Sequence, residues 1–348
     1  MKVTFPAALA VGFALLSSGT AMASTGAVYT ESNSANGNAV HRLDRAPDGT
    51  LTWVATYATG GKGTSAGLQS QGAVALSDDG RTLLAVDAGS NDVAAFHVTR
   101  HGHLTLVDRE PSGGQLPVSV DIADGSAYVL NQSGATSNVA AFSVDRSGRL
   151  HARSVTPLPA GSNGAAQVSV APDERSLVVT ERGAGRIDTF PLRFGRLGAP
   201  VVTPSSGPVP FGFAFSPRGD MVVSEAGNST VSSYRDGAVV TGSLAVGQGA
   251  ACWVAIDPAG RFAYTGNATG SVSGFRIGRD GSLTALNADG LTATSPRPND
   301  LAFAGPYLYV INPLTGTVTA YKQSLDGSLQ PLPASAALGT SLAGIAAR

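Results

Sequence analysis

The sequence predicts an all-β fold, a seven-bladed β-propeller closed by a C-terminal strand that completes the N-terminal blade. The prediction rests on a repeated phrase, a repeated turn and an incomplete phrase at each end of the chain. The phrase in residues 72–98 contains an apolar run, an Asp-Gly turn, a second apolar run ending on an acid, and a third run. Its turn recurs at Gly80, Gly125, Glu174, Gly219, Gly260 and Gly305. A spacing of roughly 45 residues with several short strands per repeat is typical of propeller blades.

Each repeat begins with a strand that we expect to line the central channel, because the first strand of a blade is the innermost one. These predicted inner strands are residues 73–77, 118–122, 168–171, 212–216, 253–257 and 301–304. The last strand of each repeat follows a Gly-x-apolar pattern, which indicates a hairpin turn and then an outer strand. The glycines are Gly102, Gly148, Gly195, Gly237, Gly281 and Gly327.

The third strand of each repeat carries a β-branched residue and, three positions later, an aromatic residue. The pairs are Val93/Phe96, Val139/Phe142, Ile187/Phe190, Val231/Tyr234, Val272/Phe275 and Val318/Tyr321. A spacing of three places two side chains on opposite faces of a strand. We therefore expect one member of each pair to pack against each neighbouring blade.

The two ends of the chain each hold part of a seventh repeat. Residues 27–31 and 40–43 resemble a second and a third strand, but no first strand precedes them. Residues 341–347 supply one more apolar run after the last outer strand. A composite blade built from both ends closes the ring and removes the exposed strand edges that would otherwise invite aggregation.

The first residues predict export. Lys2, an apolar run over residues 5–16 and the A-x-A site at residues 21–23 together form a secretory signal peptide over residues 1–23. The alternative is an uncleaved membrane anchor, but the run is shorter than the roughly 20 residues that a span requires. We expect a secreted or periplasmic mature chain, residues 24–348, that is a monomer with no membrane attachment after cleavage.

Composition limits the partners and the chemistry. Charged residues make up 14% of the chain and the net charge is −1, which argues against nucleic acid as a partner. Cys252 is the only cysteine, so the chain can form no internal disulfide. Its apolar neighbours favour a buried, inert thiol over a reactive nucleophile.

An acid or an amide ends the second strand of every repeat. These strand-end residues are Glu31, Asp87, Asn131, Glu181, Glu225, Asn267 and Asn312. They could build turns through hydrogen bonds to nearby backbone, or they could converge on the channel mouth and hold a hard cation or a sugar. Glu181 and Glu225 lie on adjacent blades and are the candidate catalytic pair, since two carboxylates in different environments can act as acid and base.

Residues near the start of the inner strands are candidate substrate contacts at the same mouth. They are Gln167, Trp253, Arg297, Asn299 and Asp300. Trp253 offers a flat apolar wall and Arg297 a fork for a carboxylate, whereas core packing and a solvated loop are the respective alternatives. The five histidines fall on predicted third or fourth strands or the turns between them, which disfavours a Ser-His-Asp triad or a histidine zinc site at the mouth.

Several phrases resemble the lactonase-type seven-bladed propellers, which include 6-phosphogluconolactonase and 3-carboxy-cis,cis-muconate cyclase. The phrases are residues 215–219, 255–267 and 272–283, and the resemblance covers the mature chain. It implies opening or closing of a lactone ring without a cofactor, by Arg, His and Glu at the channel mouth. This sequence departs from the pattern at residues 210–212, which read Pro-Phe-Gly where Pro-Arg-His is expected, and at residues 165–167; of the family's residues only Glu225 has a counterpart.

Residues 297–303, Arg-Pro-Asn-Asp-Leu-Ala-Phe, separately resemble the R-P-N-G-L-A-F phrase of metal-dependent gluconolactonase propellers. In that family the asparagine, here Asn299, would be a calcium or zinc ligand. The resemblance therefore leaves a divalent cation open beside the cofactor-free site.

Two classes of function follow from these observations. The first is an exported lactonase-like protein that hydrolyses or cyclises a small sugar acid, with Glu225 as general base, Glu181 as its partner, and Arg297 and Asn299 positioning the substrate. The second is a non-catalytic propeller that binds a ligand, a glycan or a protein. Because propellers host unrelated functions, the fold does not choose between them.

Overall fold

The computed structural model describes residue 1, residues 26–132 and residues 137–348, and its regular structure there is entirely β-strand. The predicted signal peptide and cleavage site lie outside the described residues, apart from Met1. Within the described part of the chain, 30 strands form seven sheets. That part contains no helix long and apolar enough to cross a membrane.

Every sheet is an antiparallel blade with an inner, a second, a third and an outer strand. The inner strands are β4 (Val74–Leu76), β8 (Pro117–Ala123), β12 (Ala165–Val170), β17 (Pro210–Phe215), β21 (Ala251–Ile256), β26 (Leu301–Ala304) and β30 (Ala343–Ala347). The second strands are β1 (Gly26–Glu31), β5 (Thr82–Asp87), β9 (Ser126–Asn131), β13 (Ser176–Glu181), β18 (Met221–Glu225), β22 (Phe262–Asn267) and β27 (Tyr307–Asn312). The third strands are β2 (Ala39–Arg45), β6 (Asp92–Val98), β10 (Asn138–Val144), β14 (Arg186–Arg193), β19 (Thr230–Arg235), β23 (Ser271–Ile277) and β28 (Thr317–Gln323).

The outer strands vary most. They are β3 (Leu51–Ala58), β7 (Leu104–Pro111), β11 (Leu150–Pro157), β15 (Arg196–Leu197), β16 (Val201–Pro204), β20 (Ala238–Ala245), β24 (Leu283–Ala285), β25 (Ala293–Thr294) and β29 (Leu329–Leu332). Two blades divide this position between two short strands, because β15 and β16 both pair with β14, and β24 and β25 both pair with β23. The blades are numbered 1 to 7 from the N-terminus, so blade 1 contains β1, β2, β3 and β30.

Blade 1 confirms the predicted closure of the ring. Strand β30 pairs antiparallel with β1, with Val28 opposite Ala347 and Glu31 opposite Ala343. The sheet order is therefore β3-β2-β1-β30, and the last strand of the chain is the inner strand of the first blade. Ile345 and Leu342 of this segment join a core cluster with Tyr309 of blade 7, which links both sides of the seam.

The predicted third-strand pairs hold neighbouring blades together. In blade 5, Val231 packs with Phe275 of blade 6, whereas Tyr234 packs with Ile187 of blade 4. Both members of every predicted pair are at most 3% exposed. The core of the protein is thus a set of apolar layers between blades.

A short segment of the connection between β3 and β4 crosses the central channel. This segment, Ser70–Gly72, is called the plug below. The Gln71 side chain forms a two-way clasp with Val254 of blade 6: Nε2 donates to the Val254 carbonyl (2.7 Å) and Oε1 accepts from the Val254 N–H (2.9 Å). Blade 6 also reaches the plug through the Trp253 indole N–H, which donates to the Ser70 carbonyl (2.8 Å).

Four further blades contact the plug. Ser70 Oγ donates to the Val118 carbonyl of blade 3 (2.8 Å), and the Gln71 N–H donates to the Ala166 carbonyl of blade 4 (3.1 Å). Gly212 of blade 5 lies so close that a Cβ there would stand 2.0 Å from Gln71 Oε1, and the Gly72 N–H donates to Asp300 beside blade 7 (2.9 Å). The plug therefore ties five blades together across the axis.

Removal of residues 342–348 should destabilise the protein strongly, because β1 would lose its inner partner and the blade 1–blade 7 seam its apolar contacts. Thermal melting of the truncated chain tests this expectation. Ile345→Ala should cost about 2–5 kcal/mol as a large-to-small core change, while the exposed Leu325→Ala should change stability by less than about 0.5 kcal/mol. A truncated chain that melts like the full-length protein would contradict the composite blade.

Gln71→Ala should lower the free energy of unfolding by about 1–3 kcal/mol, because it leaves the buried Val254 N–H and carbonyl without partners. Urea unfolding measures the change. The exposed Gln330→Ala is the matched control and should be close to neutral. Equal stability of the two variants would show that the plug is not a tie between blades.

Candidate functional site

The seven strand-end residues occupy the predicted position but do not meet at the channel mouth. Each is the last residue of its second strand, and each is 0% exposed. Their side chains turn into the blades, where they bond to the third strand or to the connection arriving from the preceding blade. Asn312, for example, accepts from Ser295 Oγ (2.6 Å) before β26, and Asn267 donates to Ser273 Oγ (2.8 Å) on β23. Of the two alternatives, the structural one is observed, because these polar groups bond within their own blade or to the connection from the preceding blade and do not converge.

Glu225 is enclosed by hydrogen-bond donors. Oε1 accepts from the Gly207 N–H (2.7 Å) and from Ser232 Oγ (2.6 Å), and Oε2 accepts from Thr230 Oγ1 (2.5 Å). The hydroxyls of Ser205 and Ser243 lie at 3.4 Å. This carboxylate therefore anchors the connection that precedes β17, and its predicted role as general base stays a prediction.

Glu181 forms a carboxylate pair with Asp188, and not with Glu225. Arg186 donates to Glu181 Oε1 from Nη2 (2.7 Å) and stands 3.3 Å from Asp188 Oδ1 through Nε. Burial, with the nearby Glu181 carboxylate, raises the pKa of Asp188 to about 8. Burial also disfavours the charged form of Glu181, but hydrogen bonds from Arg186 and from the Asn163 N–H outweigh that and lower its pKa. Asp188 is therefore the member of the pair that keeps its proton at neutral pH.

The predicted substrate residues are divided between interior and surface. Gln167 is buried and clasps the backbone of Phe213, with Nε2 donating to its carbonyl (3.0 Å) and Oε1 accepting from its N–H (2.7 Å). Trp253 is 7% exposed and donates to the plug. Arg297 is exposed, and Asn299 is partly buried with Nδ2 3.4 Å from the Leu342 carbonyl.

Asp300 fastens the plug at the seam of the ring. Its carboxylate accepts from the N–H groups of Gly72 (2.9 Å) and Leu301 (2.8 Å). Burial raises the pKa of Asp300 to about 7. Its φ of 127° lies in a region that favours glycine, so these two bonds hold a strained backbone in place.

Arg182 is the functional candidate that the sequence interpretation missed. It directly follows Glu181, so it lies at the end of the channel where the inner strands begin. Its guanidinium stands 5.3 Å from the centre of the Phe211 ring, and that ring meets Trp253 edge-on at 5.5 Å. Nε donates to the Gly164 carbonyl (3.2 Å), and no carboxylate of the described chain lies within ion-pair distance. Burial lowers the pKa of Arg182, as expected for a cation without a counter-ion.

A sequence signal for Arg182 does exist. The residues that directly follow the seven strand-end residues are Ser32, Ala88, Gln132, Arg182, Ala226, Ala268 and Pro313. Arg182 is the only charged one among them. Its guanidinium also lies over the ring of Phe211, the residue that stands where the family pattern has the arginine of its Arg-His pair.

The prediction of a buried, inert thiol at Cys252 is confirmed. Cys252 is buried and burial raises the pKa of its thiol to about 12, so it is a thiol at neutral pH. Within residues 26–132 and 137–348, no group of three or more His, Cys, Asp or Glu side chains is arranged to hold a metal ion. The metal-ligand role that the gluconolactonase phrase implies for Asn299 stays a prediction.

Relative to the wild type, Asp188→Asn should become more stabilising as the pH rises from about 5 to about 8. The pKa of Asp188 in the folded protein lies above its ordinary value of 3.8, so the native state binds more protons than the unfolded state. Stability therefore falls as the pH rises through this window, by up to about 1.4 kcal/mol per pH unit. The variant removes that slope. Urea unfolding across the pH range measures it, with the exposed Asp124→Asn as control; parallel curves for wild type and Asp188→Asn would refute the raised pKa of Asp188.

Comparison with known proteins agrees with this architecture. The family model described as lactonase, 7-bladed beta-propeller, matches residues 36–157, 151–248 and 230–341. Among solved structures, a proposed 6-phosphogluconolactonase of Bacteroides uniformis superposes with a TM-score of 0.75 at 17% identity, covering 93% of this chain and 99% of that one. A periplasmic gluconolactonase of Pseudomonas aeruginosa gives a TM-score of 0.72 at 18% identity, covering 92% and 98%. No curated protein matches the chain. The family match extends over most of the chain, so this protein belongs to the seven-bladed β-propeller lactonase family.

Proposed function

We propose that the protein is a lactonase-like propeller that binds a small sugar acid or its lactone at the end of the channel where the inner strands begin. The observation that carries the proposal is Arg182, a half-buried guanidinium with one backbone acceptor and no carboxylate partner among the described residues. A cation held in this way is arranged to receive an anion from outside the chain.

The chemistry of lactones suits such a group. The acid form carries a carboxylate, and hydrolysis of the ring passes through an oxyanion, which positive charge stabilises most where water is excluded. The family pattern places an arginine on the inner strand for this purpose. Here the inner strand offers Phe211 instead, and Arg182 brings a guanidinium to the same place from the neighbouring second strand.

The surroundings of Arg182 favour a ring-shaped ligand. The Phe211 and Trp253 rings form an apolar wall beside the guanidinium. Pockets for small molecules combine such apolar walls with a few placed polar groups. A sugar acid presents both an apolar ring face and an anionic end.

Binding without turnover is the second candidate function, and the carboxylates favour it. Glu225 is fully buried with donors on both oxygens, and Glu181 is committed to Arg186. The five histidines lie on third and outer strands or in the turns that join them, away from the inner strands. Hydrolysis through Glu225 and Glu181 remains a proposal that needs its own test.

Export to the periplasm or the medium, and a monomeric state, are likewise proposals from the sequence. Cleavage after residue 23 would deliver the propeller without its apolar leader. Mass spectrometry of the secreted chain would check both the cleavage site and the mass of the assembly.

Arg182→Gln should weaken binding of gluconate and of gluconolactone at least tenfold, because a charge-assisted hydrogen bond contributes about 1.5–3 kcal/mol. Binding is measured by calorimetry and by the rise in melting temperature that a ligand of the folded state produces. Arg146→Gln, an exposed arginine in a turn between a third and an outer strand, is the control and should bind like wild type. Equal affinity of all three proteins, or no binding by any, would refute the proposed site.

A lactone hydrolysis assay then separates the two candidates. If Glu225 is the general base, Glu225→Gln should lose turnover while it keeps the affinity for gluconate. Binding without turnover by the wild type would establish the non-catalytic alternative.

A further inference from the structure

Two buried carboxylates of neighbouring blades meet beside one amide. Glu31 ends the second strand of blade 1 and Asp87 that of blade 2, and both are 0% exposed. Asn38 Nδ2 donates to Glu31 Oε2 (3.1 Å) and to Asp87 Oδ1 (3.0 Å), so the two groups face each other across a single nitrogen. We refer to Glu31, Asp87 and Asn38 as the blade 1–2 cluster.

The donors of this cluster are too few for its acceptors. Asn38 has two amide hydrogens, but the Val86 carbonyl (3.1 Å) is a third acceptor at the same nitrogen. Thr59 Oγ1 supplies one more bond, to Asp87 Oδ1 (2.6 Å). Glu31 Oε1 and Asp87 Oδ2 are buried and contact no donor among the described residues. Such groups are rare because a buried acceptor without a partner carries its full desolvation cost.

The other blades show how this chain normally satisfies a carboxylate at the same position. In blade 4 the guanidinium of Arg186 lies between Glu181 and Asp188. In blade 5 one backbone N–H and several hydroxyls surround Glu225. The blade 1–2 cluster has neither arrangement.

Among the described residues, no cation forms an ion pair with Glu31 or Asp87. Arg109 acts electrostatically on Asp87, but its Nη1 is directed to the Gly60 carbonyl (2.7 Å) and to Asp92 (3.5 Å). Two buried carboxylates without a counter-charge are unfavourable, and each disfavours ionisation of the other.

We propose that the blade 1–2 cluster binds a calcium ion, with Glu31 Oε1 and Asp87 Oδ2 as its anionic ligands. Carboxylate and neutral oxygens are hard ligands, and their charge of −2 matches a divalent cation. Calcium accepts irregular oxygen geometry and can complete its shell with carbonyl oxygens and water, whereas magnesium demands a near-ideal octahedron. The inference does not rest on the proposed ligand site at Arg182.

A calcium ion in the blade 1–2 cluster would fix the start of the β3–β4 connection, which contains the plug. That connection begins at Thr59, which already bonds Asp87, and Gly61 packs directly on the same carboxylate. A Cβ at Gly61 would stand 2.3 Å from Asp87 Oδ2, so the chain approaches this oxygen as closely as glycine allows. Calcium should therefore stabilise blades 1 and 2 together with the plug.

The test starts from wild-type protein treated with a chelator and then freed of it. Calcium chloride at neutral pH should raise the melting temperature by about 4 °C at a hundredfold excess over Kd, and calorimetry should find one ion per chain. Glu31→Gln and Asp87→Asn should each abolish the shift. Glu225→Gln removes a buried carboxylate that has its own donors, and Arg182→Gln removes the proposed ligand site; both should keep the shift.

Each other outcome overturns the inference. A shift that persists in Glu31→Gln and Asp87→Asn places the ion elsewhere, and an equal response to magnesium or sodium overturns the assignment to calcium. No response to any metal, with stability rising as the pH falls, shows that a proton neutralises the pair instead. If neither variant folds, the wild type decides through terbium luminescence and its displacement by calcium; no displaceable terbium refutes the site.

Discussion

Pairing of β30 with β1 is the constraint on which the rest of the structure depends. Each blade buries its faces only against its two neighbours, so an open ring would expose two blade faces and the edge of β1. The seam joins strands from opposite ends of the chain. Bringing them together costs chain entropy, and the contacts of Ile345 and Leu342 with blade 7 offset that cost. The plug adds a second, independent constraint, because its hydrogen bonds run across the axis and not around the circumference.

The strand-end position shows how one structural role permits several electrostatic solutions. A polar side chain there bonds to its own blade and to the connection that arrives from the preceding one. An amide meets this need without charge, as at Asn312 and Asn267. A carboxylate requires surrounding donors, as at Glu225, or a guanidinium, as at Glu181. The difference between these arrangements is important because burial away from water raises the free energy of an unpaired charge, whereas water solvates the same charge at the surface.

At the end of the channel where the inner strands begin, the chain keeps the family's fold but departs from the family's sequence pattern. The chain keeps the propeller while an inner strand carries Phe211 in place of a basic residue. Arg182 restores a positive charge at that place from a different strand, over the face of the Phe211 ring. In the proposed site the guanidinium approaches from blade 4 and not from the inner strand of blade 5. A similar fold at 17% or 18% identity therefore leaves the substrate open.

The sequence by itself determined the propeller, its seven blades and its closure, because these depend on local patterns. Spaced turns, the pairing of Val231 with Tyr234 three positions on, and the apolar run after residue 340 each report on one strand and its neighbours. The strand-end residues were also found correctly as a column, but the sequence could not show whether Glu225 points into the channel or into its blade. A side chain's direction relative to the axis depends on the twist of the blade and on the connection that covers it. The pairing of Glu31 with Asp87 and the approach of Arg182 to Phe211 were decided only by the tertiary structure, for the same reason. The plug also belongs to this second group: Gln71 reaches Val254, 183 positions away, and no local pattern encodes a contact across the ring.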